Sequence, residues 1–428
     1  MAVCAGLVVA ALVPGSACAQ ITSPLLESEI PFDLRDPDRP TVLQRRQERQ
    51  QRLDQLGLRV RSFRVLAQAE TAAGYTSNVF GAAEATEADS FVDLVPSIDV
   101  RSDWGRHMLN ARILGDLRRY ISNPVRDQTG YDALAEGRAD LARGELYGRL
   151  QARRTFSEPY SGDFPEEAAE AIPIDGRTAV VRASVEAGRM SVIASGDMNR
   201  IDYEDVRSRT GTVVDQDYRD VTVWRGSARG EFEVGPARSL FAQGSYLIHD
   251  YDAKDAGTLD RSGTETRLLV GAAFYLTPLL RTRAAVGYLW REYDDPTVSD
   301  LAAPAVDIQA DYLLSQLTTL SASVGREAQD SILFDSPGYI ATTFRLRADH
   351  ELLRNLLLFG HGAVELLDYE DIDRDDTIIR VEAGADYTPF RHLVLGPRVQ
   401  WLKRDSSGGD TGLQFDEVRV LVAATVRL

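Results

Sequence analysis

The chain has 428 residues, 44% of them hydrophobic and 26% charged, with a formal net charge of −17. That balance excludes nucleic acid as a partner, because phosphate binding needs a positive surface. The only cysteines, Cys4 and Cys18, fall in a segment expected to be removed, so the mature chain has no disulfide framework, no thiolate nucleophile and no Cys-ligated metal.

Residues 1–19 read as a signal peptide. An apolar run from Ala2 to Val13 ends at Pro14-Gly15, and Ala17-Cys18-Ala19 forms a small-x-small site that places cleavage before Gln20. A lipobox centred on Cys18 is the rival reading, with Gly15 standing where Leu is usual. Residues 20–63 form a separate leader, punctuated by Pro24, Pro31, Pro37 and Pro40 and then rich in Arg and Gln. Thr41 is placed to cap a short helix there, with Leu53 and Leu56 as its apolar marks. The leader is expected to be a flexible periplasmic segment, or else a plug or docking helix.

Residues 64–428 have a period of two. Val92, Leu94, Pro96, Ile98 and Val100 alternate with Asp93, Ser97, Asp99 and Arg101. Leu109, Ala111, Ile113, Gly115 and Leu117 alternate with Asn110, Arg112, Asp116 and Arg118. Leu240 to Ile248, Leu268 to Leu276, Ala284 to Trp290 and Val418 to Leu428 repeat the pattern. Such alternation argues strand, over lengths that suit the ~9–11 residues of a tilted membrane-spanning strand.

Short connections (Ser102 to Gly105, Ala187-Gly188, Gly235-Pro236, Thr277-Pro278, Thr388-Pro389) alternate with long acidic ones at 81–89, 121–129, 157–176, 201–217, 250–263, 292–303, 329–337, 368–376 and 404–414. This is the layout of an outer-membrane barrel with short periplasmic turns and long external loops. The expected fold is therefore an all-β transmembrane antiparallel barrel of about 18 strands, with both mature termini periplasmic. Aromatic girdles are expected from Trp104, Phe274, Tyr312, Tyr387 and Phe390 at the turn end, and from Tyr120, Trp290, Tyr293, Tyr369 and Trp401 at the loop end. Closure follows because backbone groups in hydrocarbon must all be paired internally.

One face of these strands carries charge that no dry core could hold. The residues expected to line a wet lumen are Arg112, Asp116, Arg118, Glu136, Arg149, Arg225, Arg267, Arg283, Arg345, Arg380 and Arg398. Along the strands assigned, inward arginines outnumber inward acids, which points to an anion-preferring pore. Val270 is expected to face lipid and Leu269, its neighbour, the wet lumen.

Gly74-Tyr75-Thr76-Ser77-Asn78-Val79-Phe80, Asp93 to Ile98, and Ser102-Asp103-Trp104-Gly105-Arg106-His107 resemble the outer-membrane family called putative β-barrel porin 2, over roughly residues 65–120. The chain ends in Leu428, where such barrels tend to carry an aromatic read by the assembly machinery. The resemblance implies a part in exopolysaccharide or capsule export. Expected partners are outer-membrane lipid and lipopolysaccharide, the barrel-assembly machinery, and a polysaccharide with its periplasmic export components.

Chemistry is sparse. His107, His249, His350, His361 and His392 form no HExxH or paired metal-ligand spacing. No GxSxG elbow, P-loop or dinucleotide fingerprint is present. No enzyme activity and no cofactor are expected. The acidic loops hold carboxylate clusters at Asp250/Asp252/Asp255, Asp294/Asp295 and Asp368 to Asp376, to which Ca²⁺ or Mg²⁺ could associate loosely. The conduit reading stands against a plugged structural or adhesion barrel and a general small-solute porin.

Overall fold

The computed structural model describes residues 40–46, 48, 57–159, 164–165, 167–252, 259–333 and 335–427. The expected signal peptide, most of the leader and Leu428 lie outside them.

Eighteen antiparallel strands close into one barrel. They are β1 (Phe63–Thr76), β2 (Asp89–Ser102), β3 (Met108–Tyr120), β4 (Gln128–Leu141), β5 (Gly144–Ser157), β6 (Ile172–Ala187), β7 (Met190–Tyr203), β8 (Val221–Gly235) and β9 (Arg238–Tyr251). There follow β10 (Gly263–Thr277), β11 (Leu280–Tyr293), β12 (Leu301–Ser315), β13 (Thr318–Asp330), β14 (Gly338–Leu353), β15 (Leu356–Tyr369), β16 (Arg374–Phe390), β17 (Leu393–Gly408) and β18 (Phe415–Arg427). Each pairs with its neighbours in sequence, and β1 pairs with β18 from Gln68↔Arg427 to Thr76↔Arg419.

The strands run 13–17 residues, longer than a membrane crossing needs. Their surplus takes up residues assigned above to loops, including 172–176, 201–203, 374–376 and 404–408. The connection between β15 and β16 shrinks in this way to residues 370–373. At the opposite end Thr388-Pro389 is no turn. It is a bulge inside β16, where pairing jumps from Tyr387↔Leu395 to Phe390↔Leu393 and the turn itself is Arg391-His392. A bulge tolerates proline, which has no N–H to give the ladder.

The two faces divide as the alternation requires. Val92, Leu94, Ile98, Leu240, Leu268, Val270, Val286, Val420 and Val422 are exposed on the outside. Outward aromatics gather at both rims: Trp104, Phe232, Tyr312, Tyr387 and Phe390 at the turn end, and Tyr75, Tyr131, Trp224, Trp290 and Trp401 at the loop end. Tyr120, Tyr293 and Tyr369, assigned above to a girdle, are instead buried on the inner face. Each sits one position out of step with its strand's outward set, and a period of two allows no compromise.

The seam explains one of the motifs. Thr76 donates its hydroxyl to Glu417 at 2.5 Å, Ser77 Oγ accepts the Val418 N–H at 2.9 Å, and Asn78 Nδ2 donates to the carbonyls of Ala82 and Asp416. These contacts staple the end of β1 to β18. Gly74 is required beside them, because a Cβ there would lie 2.4 Å from the Phe91 ring. Pro96 is accommodated similarly: the β2–β3 ladder skips Val95-Pro96, and Gly115 lies against the proline ring.

Candidate functional site: the lumen

All eleven residues expected to line the lumen project from the inner face, judged by their parity with the exposed apolar set. They are spread around the whole wall and do not converge. Most are engaged. Arg118 grips Asp93 through two bonds of 2.8 and 2.9 Å, Arg225 meets Asp197 at 2.9 Å, and Arg283 meets Asp307 at 2.9 Å. Arg112 lies 3.7 Å from Asp132, and Arg398 lies 3.4 Å from Asp386 and 3.9 Å from Glu382. Glu136 accepts from Asn110 at 3.0 Å and from the Tyr147 hydroxyl at 2.8 Å. Arg149 donates to Gln151 and Arg267 to the Arg326 carbonyl. Asp116 stands opposite Gly130, and Arg380 stands between Ala363 and Leu402.

Many inner arginines lie over aromatic rings. Arg118 covers Phe91 at 4.6 Å, Arg283 covers Phe241 at 5.3 Å, and Arg347 and Arg398 both cover Phe359. The stem of such a side chain dries the ring while the guanidinium keeps a cation–π contact and an ion pair. Over the complete inner face the carboxylates are as numerous as the arginines, so the excess of inward arginine expected above is not present. The residues named for the lumen left out Glu231, Glu265, Asp311, Glu327, Glu351 and Glu417, which the same parity puts on the inner face.

Three elements fold into the bore. The first is the leader. Residues 42–46 are helical, and Thr41 and Gln44 cap them reciprocally: Gln44 N–H donates to Thr41 Oγ1 at 3.2 Å and Thr41 N–H to Gln44 Oε1 at 2.8 Å. Val42, 1% exposed, donates its N–H to Thr319 Oγ1 at 3.1 Å. Arg46 meets Asp386 at 3.3 Å, and Arg45 donates to the Gln316 carbonyl. Thr319 and Asp386 are inner-face residues near the short turns, so the helix sits in that mouth.

The second is the tip of the β13–β14 hairpin. β12 and β13 pair only as far as Val306↔Arg326; beyond that point they part, and the tip tucks inside the wall of β9–β12. There Asp330 accepts from Arg291 at 2.7 Å and from the Tyr251 hydroxyl at 2.5 Å, and lies 3.7 Å from His249. Arg261 donates to the Leu333 and Ser336 carbonyls, and Tyr218 to the Ile332 carbonyl. Under the tip, Phe241, Leu269, Leu289, Ala303, Ala305 and Ile340 form a dry cluster. Leu269, 2% exposed, therefore faces packed side chains and not water.

The third is the described part of the connection after β5, residues 158–159, 164–165 and 167–171. At its root Glu158 is buried, with Arg126 at 2.8 Å, Arg118 and Arg419 each at 3.9 Å, and a further bond from Gln128. Burial pushes its carboxyl up, but the three guanidiniums win and hold it below the ordinary carboxylate range. Phe164, Ala168, Ile172 and Val206 cluster above that anchor.

None of these anchors was read from the sequence. Glu158, Asp330 and Arg291 are ordinary alternating or loop residues there, and only the Thr41-x-x-Gln44 spacing carried a local signal for the helix.

The acidic clusters named above do not assemble as such. Asp252 meets Arg200 at 2.7 Å, Asp376 is shared by Arg374 and Arg404, and Asp295 caps Thr297; Asp255 lies outside the described residues. Among the described residues, exposed Asp205, Asp215 and Asp217 bring their carboxylate oxygens within 4.8 Å of one another. His361 sits between Arg347 and Glu382, as one polar wall residue among others.

Comparison with known proteins gives a match to the family described as "Putative beta-barrel porin 2" over residues 51–428. None of the curated proteins matches. Among solved structures, OpdO of Pseudomonas aeruginosa is 13% identical, with a TM-score of 0.46 over 85% of this chain and 97% of its own. OccK2 (OpdF) of the same organism, solved in complex with glucuronate, is 12% identical, with a TM-score of 0.48 over 86% and 99%. OccAB3 of Acinetobacter baumannii is 12% identical, with a TM-score of 0.44 over 85% and 99%.

Proposed function

Because this chain belongs to the putative beta-barrel porin 2 family, we propose that it is a conduit carrying hydrophilic solutes across the bacterial outer membrane, and that it is not a catalyst. The observation that carries this reading is the division of faces on a closed wall. Apolar side chains cover the outside, and ion-paired arginines and carboxylates cover the inside. A barrel of eighteen strands is wide enough to hold water.

Small solutes fit better than a polysaccharide as cargo. The helix at one mouth and the tucked hairpin and anchored loop at the other narrow the bore, and the walls offer many weak polar contacts that release what they bind. Export of exopolysaccharide is the second reading, and it rests on what the family resemblance implies. Swelling of liposomes holding the purified barrel separates the two. Rates should fall steeply from monosaccharides to tetrasaccharides; equal passage of long oligosaccharides would reverse the choice of cargo.

The short turns and both barrel ends are placed in the periplasm, because short periplasmic turns and long external loops are the general arrangement of such barrels. Cysteines introduced at Asp294 or Asp371 should then react with an impermeant reagent on intact cells, and one at Gly235 should not. The opposite pattern inverts the topology.

A further inference from the structure

The inner arginines are engaged with carboxylates, carbonyls, amides or rings, with one exception. Arg345, on β14, has no hydrogen bond, ion pair or ring contact among the described residues. Ser323 of β13 and Ala363 of β15 lie directly beside it, and Thr343 and Arg347 are its inward neighbours along the strand. None of the four supplies a negative charge. Glu365, diagonal to it across from Thr343, is buried at 5% exposed and makes no ion pair with it. Arg347 and Arg283 do close on an acid, Asp349 at 2.8 Å and Asp307 at 2.9 Å.

Its position is equally specific. Ser323 is four residues from Thr319, which holds the N-terminal helix, and seven from Asp330, which latches the tucked hairpin. At about 3.3 Å per residue those are separations of roughly 13 and 23 Å along the strand. Arg345 therefore lies on the stretch of wall between the two narrowed mouths, half-exposed, with small side chains on both sides.

A guanidinium without a protein counter-ion takes one from solution, and its planar fork matches a carboxylate bidentately. We propose that Arg345 is the solute-recognition residue of the lumen and that it selects small organic carboxylates. This rests on the conduit reading, which it deepens by naming the cargo class. The partly exposed hydroxyl of Ser323 beside it suits a polyhydroxylated anion, because it can donate to a hydroxyl or a carboxylate oxygen.

The test uses gluconate as probe and two readouts on the full mature chain. Calorimetric titration of the detergent-solubilised barrel should show gluconate binding that Arg345→Gln weakens at least about tenfold, the scale of a lost charge-assisted bidentate contact. Arg345→Lys should keep attraction for chloride but lose the preference for gluconate over chloride. Arg283→Gln, which removes half of an existing ion pair, should leave gluconate binding intact. In bilayers, gluconate should block chloride current in the wild type and not in Arg345→Gln. Gluconate binding that depends on Arg345 in a barrel carrying no current would keep the site and sink the conduit. Absence of binding to the wild type, or equal binding by Arg345→Gln, would overturn the assignment of Arg345.

Discussion

Val270→Arg is expected to cost roughly 2–4 kcal/mol and to impair assembly, because it puts a charge on the lipid face near mid-membrane. Val270 is 60% exposed on the outside of β10, among Leu240, Leu268 and Val286. The informative control is a residue of opposite parity that borders open lumen. Leu269 does not serve, since it belongs to the dry cluster under the tucked hairpin and an arginine there would be buried without a partner. Ser195, inward on β7 and partly exposed, is the better choice, and Ser195→Arg should assemble as the wild type does. Heat-modifiability on gels reads folded barrel directly. Equal damage at both sites would mean that the outer face does not meet lipid.

The second large effect concerns the mouth at the short turns. The helix at 42–46 is held there by the Arg46–Asp386 pair at 3.3 Å, the Val42–Thr319 bond and the Arg45 contact with Gln316. A chain lacking residues 20–56 should fold, since closure of the barrel runs through β1 and β18 alone. It should also conduct severalfold more current per channel than the intact chain. Asp386→Ala should give part of that increase, because it removes one anchor and leaves two. An unchanged conductance in both would show that the helix does not obstruct the path.

Strand direction, face and closure were legible in the sequence because a period of two is imposed on each strand by the pleat and by the contrast of lipid with water. Val418 to Val426 and Leu268 to Leu276 show it most plainly, and both sets face outward as expected. The same rule located the mistakes. Tyr120, Tyr293 and Tyr369 were assigned by nearness to strand ends, although their parity points inward. Thr388-Pro389 was read by composition as a turn, although β16 carries the pair as a bulge and turns at Arg391-His392.

What stayed illegible is tertiary. That β13 leaves β12 after Val306↔Arg326 depends on a destination, the Arg291–His249–Tyr251 cluster for Asp330, whose members lie 39 to 81 residues away in sequence. The lumen residues were found face by face, but their roles depend on cross-strand neighbours. Arg283 and Arg345 look alike in sequence, and each has an acid on a diagonal, Asp307 and Glu365; only Arg283 closes on its own, at 2.9 Å.

The central claim, a continuous aqueous path through the barrel, is tested most directly by single-channel recording of the purified protein in planar lipid bilayers. The account predicts discrete, ohmic current steps in the intact chain, larger in the chain lacking residues 20–56. Silence in both forms, with folded barrel confirmed in the same bilayers, would contradict it.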